Sequence, residues 1–93
     1  MLGPELSLYH FWSCPFCDLV RRAIERLGLE VELRDIHGDP AHLQALVQAT
    51  DRSTVPCLRI DGDSDESTWL HESADILKFL EDRAVEEELR ARA

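Results

Sequence analysis

Two cysteines separated by two residues, Cys14 and Cys17, are the side chains in this sequence best suited to chemistry. Thiols at this spacing close into a small disulfide ring or share a metal ion. Pro15 is typical of the first position of a helix, which puts Cys14 directly before a helix N-terminus. The unpaired backbone N–H groups and the helix dipole favour a thiolate there. We therefore predict a redox pair in which Cys14 is exposed and reactive and Cys17 is more buried.

A metal site is the alternative for the same two thiols. A closed zinc site needs four ligands, and only Cys57 together with one histidine could complete it. Because the sequence has no second cysteine pair, we favour redox chemistry and predict no metal. Cys57 is expected to be a small buried side chain. The histidines show no paired spacing and are expected at surface or capping positions; they are His10, His37, His42 and His71.

Length and charge limit the classes of function. A chain of 93 residues predicts one domain, residues 1–93, with a core over about 5–83 and a charged helical tail over 84–93. Ten basic and nineteen acidic side chains give a net charge of −9. This charge argues against binding to nucleic acid or to an anionic membrane surface. Protein partners would present basic or neutral surfaces, and we expect a monomer.

The cysteine content and the N-terminal residues bear on the compartment. Three cysteines leave one unpaired after any pairing, which fits a reducing compartment better than a disulfide framework. Residues 1–5 carry no basic segment and no long apolar run, and no apolar stretch reaches the roughly 20 residues that span a bilayer. The expected location is therefore the cytoplasm.

The first half of the chain predicts a strand, a helix, a strand and a second helix. Residues 6–11 and 30–36 alternate as strands do, and Gly28 ends the intervening helix. Asp39 is expected to cap the second helix, over residues 40–50. The predicted buried positions of the first helix are Phe16, Val20, Ala23, Ile24 and Leu27, and those of the second are Leu43, Leu46 and Val47.

The second half predicts two strands and a helix. Residues 57–60 and 67–71 would pair antiparallel through a polar turn, and Ser73 would cap the last helix. The order βαβαββα fits an α/β fold, with a four-stranded mixed sheet flanked by three helices on its two faces. The last helix would bury Ala74, Ile76, Leu77, Phe79 and Leu80.

Three motifs together resemble those of a known family. The run Cys14-Pro15-Phe16-Cys17, the triplet Thr54-Val55-Pro56 and the pair Glu72-Ser73 resemble the motifs of glutaredoxins, which belong to the thioredoxin-fold superfamily. The chain is also similar to the glutathione-binding N-terminal domain of glutathione transferases. The resemblance covers about residues 6–81 and implies a thioredoxin-like fold.

The resemblance also implies a glutathione site. By analogy with the family, Pro56 would be cis, and the Thr54-Val55-Pro56 triplet would offer the backbone of Val55 to the cysteinyl part of glutathione. Glu72 and Ser73 would bind the γ-glutamyl group at the start of the last helix. A helix N-terminus suits that carboxylate, and Glu72 suits the α-amine.

The sequence departs from the family pattern at several positions. Phe11 stands where many glutaredoxins have a lysine, so Arg52 becomes the candidate for the glycine carboxylate of glutathione. Residues 69–71 replace a Gly-Gly pair. Cys57 directly follows the proline, and it would be open to glutathionylation if it lay beside the dithiol.

The implied function is glutathione-dependent thiol–disulfide exchange. Cys14 would attack a protein disulfide or a glutathione mixed disulfide, and Cys17 would resolve the product. Glutathione would be the co-substrate, and glutathionylated or disulfide-containing proteins the partners. The alternative is a non-catalytic glutathione-binding or interaction domain of the transferase type. By family analogy, an iron–sulfur cluster bridged between subunits is a further alternative. Pro15 argues against it, because proline would stiffen the loop.

Aromatic and basic side chains near the dithiol complete the expectations. Trp12 is expected to line a substrate groove and Trp69 to lie in the core. Arg21, Arg22 and Arg26 are expected on the solvent side of the first helix, with Arg21 towards the active-site end.

Overall fold

The chain folds as a four-stranded mixed sheet with three helices. The computed structural model describes residues 5–62 and 66–92. The strand order is β2-β1-β3-β4, in which β1 and β2 are parallel and the other two pairings are antiparallel. The predicted α/β order βαβαββα is confirmed. The elements are β1 (Glu5–His10), α1 (Pro15–Leu27), β2 (Glu32–Asp35), α2 (Pro40–Thr50), β3 (Cys57–Asp61), β4 (Ser67–Leu70) and α3 (Ser73–Arg92).

The sheet has an apolar core on each face. Alternate residues of a strand point to opposite faces, so Leu8 and Tyr9 belong to different clusters. Leu8 packs with side chains of α1 and α3, whereas Tyr9 packs with Leu46 of α2. Because β1 is central and covered on both faces, residues 6–10 are all buried. The two-layer covering of β1 holds its C-terminal end, where the dithiol loop begins, in place.

The ends of the first two helices follow the predicted capping residues. Cys14 is the N-cap of α1 and Pro15 occupies its first turn. Gly28 ends α1 with φ 66°, a left-handed conformation that glycine adopts without a steric penalty. The carboxylate of Asp39 caps α2 by accepting the N–H of Ala41 at 2.9 Å.

Three positions predicted as buried are exposed instead. Phe16 is exposed because α1 begins beyond the end of β1, where its first turn has no strand to pack against. Val47 and Ala74 are also exposed. In α2 and α3 the apolar spacing is broad enough for more than one face, and packing against the sheet buries Leu46 and Ile76 instead.

Helix α3 starts one residue earlier than a Ser73 cap would place it. The carbonyl of Glu72 accepts the first helical hydrogen bond, from the N–H of Ile76 at 2.9 Å, so Ser73 is already helical. The helix continues to Arg92 through the predicted charged tail, where Arg90 and Arg92 pair with glutamates one turn earlier. The polar turn predicted between β3 and β4 includes residues 63–65, which lie outside the described residues.

No helix among the described residues has the length and apolar character needed to cross a bilayer. That observation concerns residues 5–62 and 66–92 alone.

Leu8→Ala is expected to lower the free energy of unfolding by about 3 kcal/mol. Leu8 is fully buried between β3, α1 and α3, so its truncation leaves a cavity in the larger core. Chemical denaturation followed by circular dichroism measures the change. Leu89→Ala is the control, because Leu89 is exposed near the end of α3 and its truncation should cost less than about 0.5 kcal/mol. Equal losses in the two variants would contradict the assignment of the core.

Candidate active site

The thiol of Cys14 lies at the N-terminus of α1. Its backbone is extended, and its Sγ accepts the backbone N–H of Cys17 at 3.3 Å. The N–H of Cys14 donates to the carbonyl of Phe11 at 3.2 Å, which closes the turn between β1 and α1. A sulfur at a helix N-terminus lies at the positive end of the helix dipole. The predicted placement of Cys14 before the helix is confirmed.

Cys17 lies inside the first turn of α1 and is fully buried. Burial is the main cause that raises the pKa of Cys17 to about 12, and the hydrogen bond to Cys14 adds to the shift. The Phe11 backbone and the Arg21 charge act in the opposite direction. At neutral pH Cys17 is therefore a thiol, and the two cysteines are chemically unequal. Both are free thiols in this structure.

Cys14 is less exposed than the sequence predicted. It is 6% exposed, against 0% for Cys17, so the predicted order is right but the expected exposure of Cys14 is wrong. The reason is the turn that folds residues 11–13 back onto the helix start through the hydrogen bond to Phe11. Trp12 and Phe16, two residues before and two residues after Cys14 in the chain, are 61% and 62% exposed.

Arg21 points back towards the dithiol loop, so its expected place at the active-site end is right and its expected place on the solvent side is wrong. Its side chain is only 11% exposed. Its guanidinium donates to the carbonyl of Phe11 at 3.3 Å and to the carbonyl of Trp12 at 3.0 Å. It also contacts Nδ1 of His10 at 3.0 Å and lies 4.7 Å from the ring centroid of Trp12. Arg21 thus binds each of the three residues that connect β1 to the turn before Cys14.

His10 is fully buried, so the expected surface position is wrong for this histidine. A guanidinium has only donors, so Nδ1 of His10 accepts the bond from Arg21 and the proton of the neutral ring lies on Nε2. Burial, followed by the charge of Arg21, lowers the pKa of His10, while Asp35 opposes the shift. The ring is neutral at pH 7. Its Nε2 has no hydrogen-bond partner among the described residues.

The Thr54-Val55-Pro56 triplet precedes β3, and the bond between Val55 and Pro56 is cis, as the resemblance implies. Thr54 is exposed, Val55 is half-buried and Pro56 is buried. Cys57, the next residue, pairs with Tyr9 in the sheet, so the triplet enters the sheet beside the end of β1. The start of β3 and the end of β1 therefore meet at the edge that carries the dithiol loop.

His71 connects this edge to the start of α3. Its Nε2 lies 3.9 Å from Sγ of Cys57. Burial lowers the pKa of His71, the charge of Arg52 lowers it further, and the charge of Glu72 raises it. Arg52 and Glu72 therefore both lie near His71. Arg52 and Glu72 are exposed, and Ser73 is half-buried at the start of α3.

Over residues 5–62 and 66–92, no three histidine, cysteine or acidic side chains come together as metal ligands would. Cys57 contacts His71. Cys14 and Cys17, both free thiols, are hydrogen-bonded to each other and to backbone groups.

A separate groove of about 620 Å³ lies between the C-terminal ends of α1 and α3. It is lined mainly by charged side chains, including Arg26, Glu81, Glu87 and Glu88, together with Val85. Because Cys14 is at the opposite end of α1, this groove does not belong to the dithiol site.

Comparison with known proteins decides the family. The profile of the glutathione S-transferase N-terminal domain family matches residues 8–88. The chain belongs to this family. A search of curated sequences gave no significant match.

Solved structures agree with this family. Glutathione transferase Omega 2S from Trametes versicolor is 26% identical, with a TM-score of 0.74 over 92% of this chain and 39% of its own. Maleylacetoacetate isomerase from Anaeromyxobacter dehalogenans, solved with glutathione in its active site, is 28% identical, with a TM-score of 0.68 over 92% and 40%. The chain thus spans about two fifths of these transferase structures. A thioredoxin-like protein, 22% identical with a TM-score of 0.66, shares the fold over 82% of this chain and 97% of its own.

Two basic residues beside the dithiol of this glutathione S-transferase N-terminal domain differ from their expected surroundings. Arg21 was expected towards the active-site end of the first helix but on its solvent side, although its position one helical turn after Cys17 was a signal for the same helix face. His10 was expected at a surface or capping position because the histidines show no paired spacing, whereas the central strand that carries it is covered on both faces. Trp69, expected in the core, is half-buried and packs against Tyr9 at a ring-centroid distance of 5.3 Å.

Cys57 is expected to stay unmodified when the folded protein reacts with iodoacetamide or oxidised glutathione at pH 7.5. Cys57 is fully buried, so reagents do not reach its sulfur. Burial also raises its pKa to about 12, so little of the reactive thiolate is present at pH 7.5. Peptide mass spectrometry after a short reaction measures the modified fraction at each cysteine. Protein unfolded in guanidinium is the control, and there all three cysteines should react. Modification of Cys57 at the rate of Cys14 in the folded protein would contradict this assignment.

Proposed function

We propose that this domain catalyses glutathione-dependent thiol–disulfide exchange, with Cys14 as the nucleophile. The observation that carries the proposal is the inequality of the two thiols at one helix start. Cys14 accepts a backbone N–H at the N-terminus of α1, whereas burial keeps Cys17 protonated. In such an arrangement Cys14 makes the first attack, and Cys17 remains a thiol that can react in a later step.

In the first step the Cys14 thiolate attacks the glutathione sulfur of a mixed disulfide. A disulfide forms between Cys14 and glutathione, the substrate S–S bond breaks, and the substrate leaves as a thiolate that takes a proton from water. In the second step the thiolate of another glutathione attacks the bound glutathione sulfur, which releases oxidised glutathione and regenerates Cys14. Cys17 offers an intramolecular route, in which it forms a disulfide with Cys14 and releases glutathione.

Glutathione would bind along the edge that carries the thiols. The backbone of Val55, beside the cis proline, is the proposed partner of the cysteinyl part, with Thr54 next to it. Glu72 and Ser73 at the start of α3 are the proposed partners of the γ-glutamyl group, because helix N-terminal N–H groups suit a carboxylate. Arg52, whose charge acts on His71, is the proposed partner of the glycine carboxylate. The relatives solved with glutathione support this class of ligand.

A second candidate is a glutathione-binding module of the transferase type that does not turn over disulfides by itself. The family match favours it. In that case the glutathione-binding residues would matter more than Cys17.

One assay separates the two candidates. The protein is incubated with a glutathionylated peptide and glutathione, and the release of free peptide is followed, while calorimetry measures the binding of glutathione alone. Catalytic release above the rate with glutathione alone is the expected result. Binding of glutathione without any acceleration of release would favour the module and overturn the exchange proposal.

A further inference from the structure

Arg21 holds the three residues before the dithiol through separate contacts on each. Its guanidinium bonds the carbonyls of Phe11 and Trp12 and Nδ1 of His10, all within 3.3 Å. Helical side chains lean towards the helix N-terminus, which brings a residue in the second turn of α1 back over the preceding loop. A planar guanidinium presents several donors in one rigid fork, so one side chain satisfies three acceptors.

The Phe11 carbonyl links Arg21 to the nucleophile. This oxygen accepts a hydrogen bond from Arg21 and a second one from the backbone N–H of Cys14, at 3.3 and 3.2 Å. The same carbonyl therefore holds the end of the strand, the guanidinium and the start of the turn at Cys14. The Sγ of Cys14 is in turn bonded to Cys17 on the same helix as Arg21. These hydrogen bonds connect helix α1, the loop before it and the sulfur of Cys14.

The exposed ring of Trp12 is held by the same group. The guanidinium carbon of Arg21 lies 4.7 Å from the Trp12 ring centroid, within the range of a cation–π contact. On its other side the ring meets His10 edge-on, with 4.8 Å between centroids. Trp12 is 61% exposed, so it has no core to fix it in place. The side chains that contact the ring are those of Arg21 and His10.

We propose that Arg21 is a positioning residue for the reaction of Cys14, and that it acts through the shape of its guanidinium fork on the 10–12 segment rather than through its charge. The inference rests on the proposed function for its place in catalysis, although the effect on the Cys14 thiol can be measured without glutathione. A fork-shaped donor set cannot be replaced by the single ammonium of lysine. Displacement of a reacting group by about 1 Å costs up to about a hundredfold in rate.

The test uses the variants Arg21→Lys, Arg21→Met and Arg22→Met. Arg22 is the matched control, because it is the next residue on the same helix, its side chain is 79% exposed, and it pairs with Asp18, the carboxylate that also lies 3.6 Å from Arg21. The rate of Cys14 alkylation by iodoacetamide is measured by peptide mass spectrometry at a temperature where circular dichroism shows each variant folded. The Cys14 alkylation rate of both Arg21 variants is expected to differ from the wild-type rate by at least about tenfold. The rate of Arg22→Met is expected to stay within about twofold of wild type.

A spectroscopic readout accompanies the rate. In a Trp69→Phe background Trp12 is the remaining tryptophan, and its fluorescence anisotropy reports how firmly the ring is held. The anisotropy is expected to fall in both Arg21 variants and to stay unchanged in Arg22→Met. If Arg21→Met does not fold, the anisotropy and alkylation of Arg21→Lys decide the matter.

Three outcomes would overturn the inference. Full recovery of the wild-type rate and anisotropy by Arg21→Lys would show that charge is sufficient. Unchanged alkylation in both Arg21 variants, or equal changes in Arg22→Met, would show that Arg21 does not position Cys14. An absence of glutathione turnover in the wild-type protein, with altered alkylation in the Arg21 variants, would instead reject the proposed function and leave the positioning role supported.

Discussion

Cys14→Ser is expected to lower the rate of glutathione-dependent release from a mixed disulfide by at least about a thousandfold. The serine hydroxyl stays protonated at neutral pH and is a poor nucleophile towards sulfur, even at the N-terminus of α1. Cys17 cannot substitute, because it is fully buried and its pKa is raised to about 12. Release of the thiol from a glutathionylated peptide, followed by chromatography, measures the rate.

Two variants make this experiment specific. Ser13→Ala changes the exposed neighbour of Cys14 and should retain the wild-type rate. Cys17→Ser removes a thiol of the same pair and should retain release from a glutathione mixed disulfide within about threefold, because glutathione itself completes the cycle. A Cys14→Ser protein with substantial activity, or a Cys17→Ser protein as inactive as Cys14→Ser, would show that the roles of the two thiols are assigned wrongly.

The second large effect is a steep pH dependence of the intramolecular step. When Cys14 carries glutathione, release by Cys17 should speed up about tenfold per pH unit between pH 7 and 10, since the thiolate is the attacking species. Burial, the largest cause of the raised Cys17 pKa, remains after Cys14 is modified, although the contribution of the Cys14 thiol is lost. A group whose pKa lies near 12 gains thiolate in proportion to hydroxide across this whole range.

The measurement starts from protein that carries glutathione on Cys14, with free glutathione removed. Mass spectrometry follows the loss of the adduct at each pH. Cys17→Ser is the control, and its adduct should persist over the same time. A rate that levels off near pH 8 would contradict the raised pKa and would make the dithiol route the main one at neutral pH.

These expectations place the domain closer to a one-thiol mechanism than its two-cysteine motif suggests. The motif contains both thiols, but the hydrogen bond from the Cys17 N–H to Cys14 and the full burial of Cys17 separate their reactivity. Glutathione is therefore the proposed resolving thiol at neutral pH. A slow Cys17 would matter mainly when glutathione is scarce.

Local signals were sufficient to predict much of the fold. Alternation identified the strands, and the caps at Cys14, Asp39 and Gly28 stand where the residue types indicated. These features depend on interactions within a few residues of the chain, so a single sequence contains them. The ends of β2 and the buried faces of α2 and α3 were predicted less accurately. The two helices have apolar residues on more than one face, and packing against distant elements determines which of these faces is buried.

The sequence by itself determined the dithiol, its place at a helix start and the order of elements that carries it. Only the tertiary structure decided the exposure of Cys14, the burial of His10 and the inward direction of Arg21. Each of these depends on β1 being central in the sheet and on the loop after it folding back over α1. The spacing of two cysteines sets which thiols are neighbours, whereas the charge and hydrogen bonds around each sulfur come from residues that only the folded chain brings together.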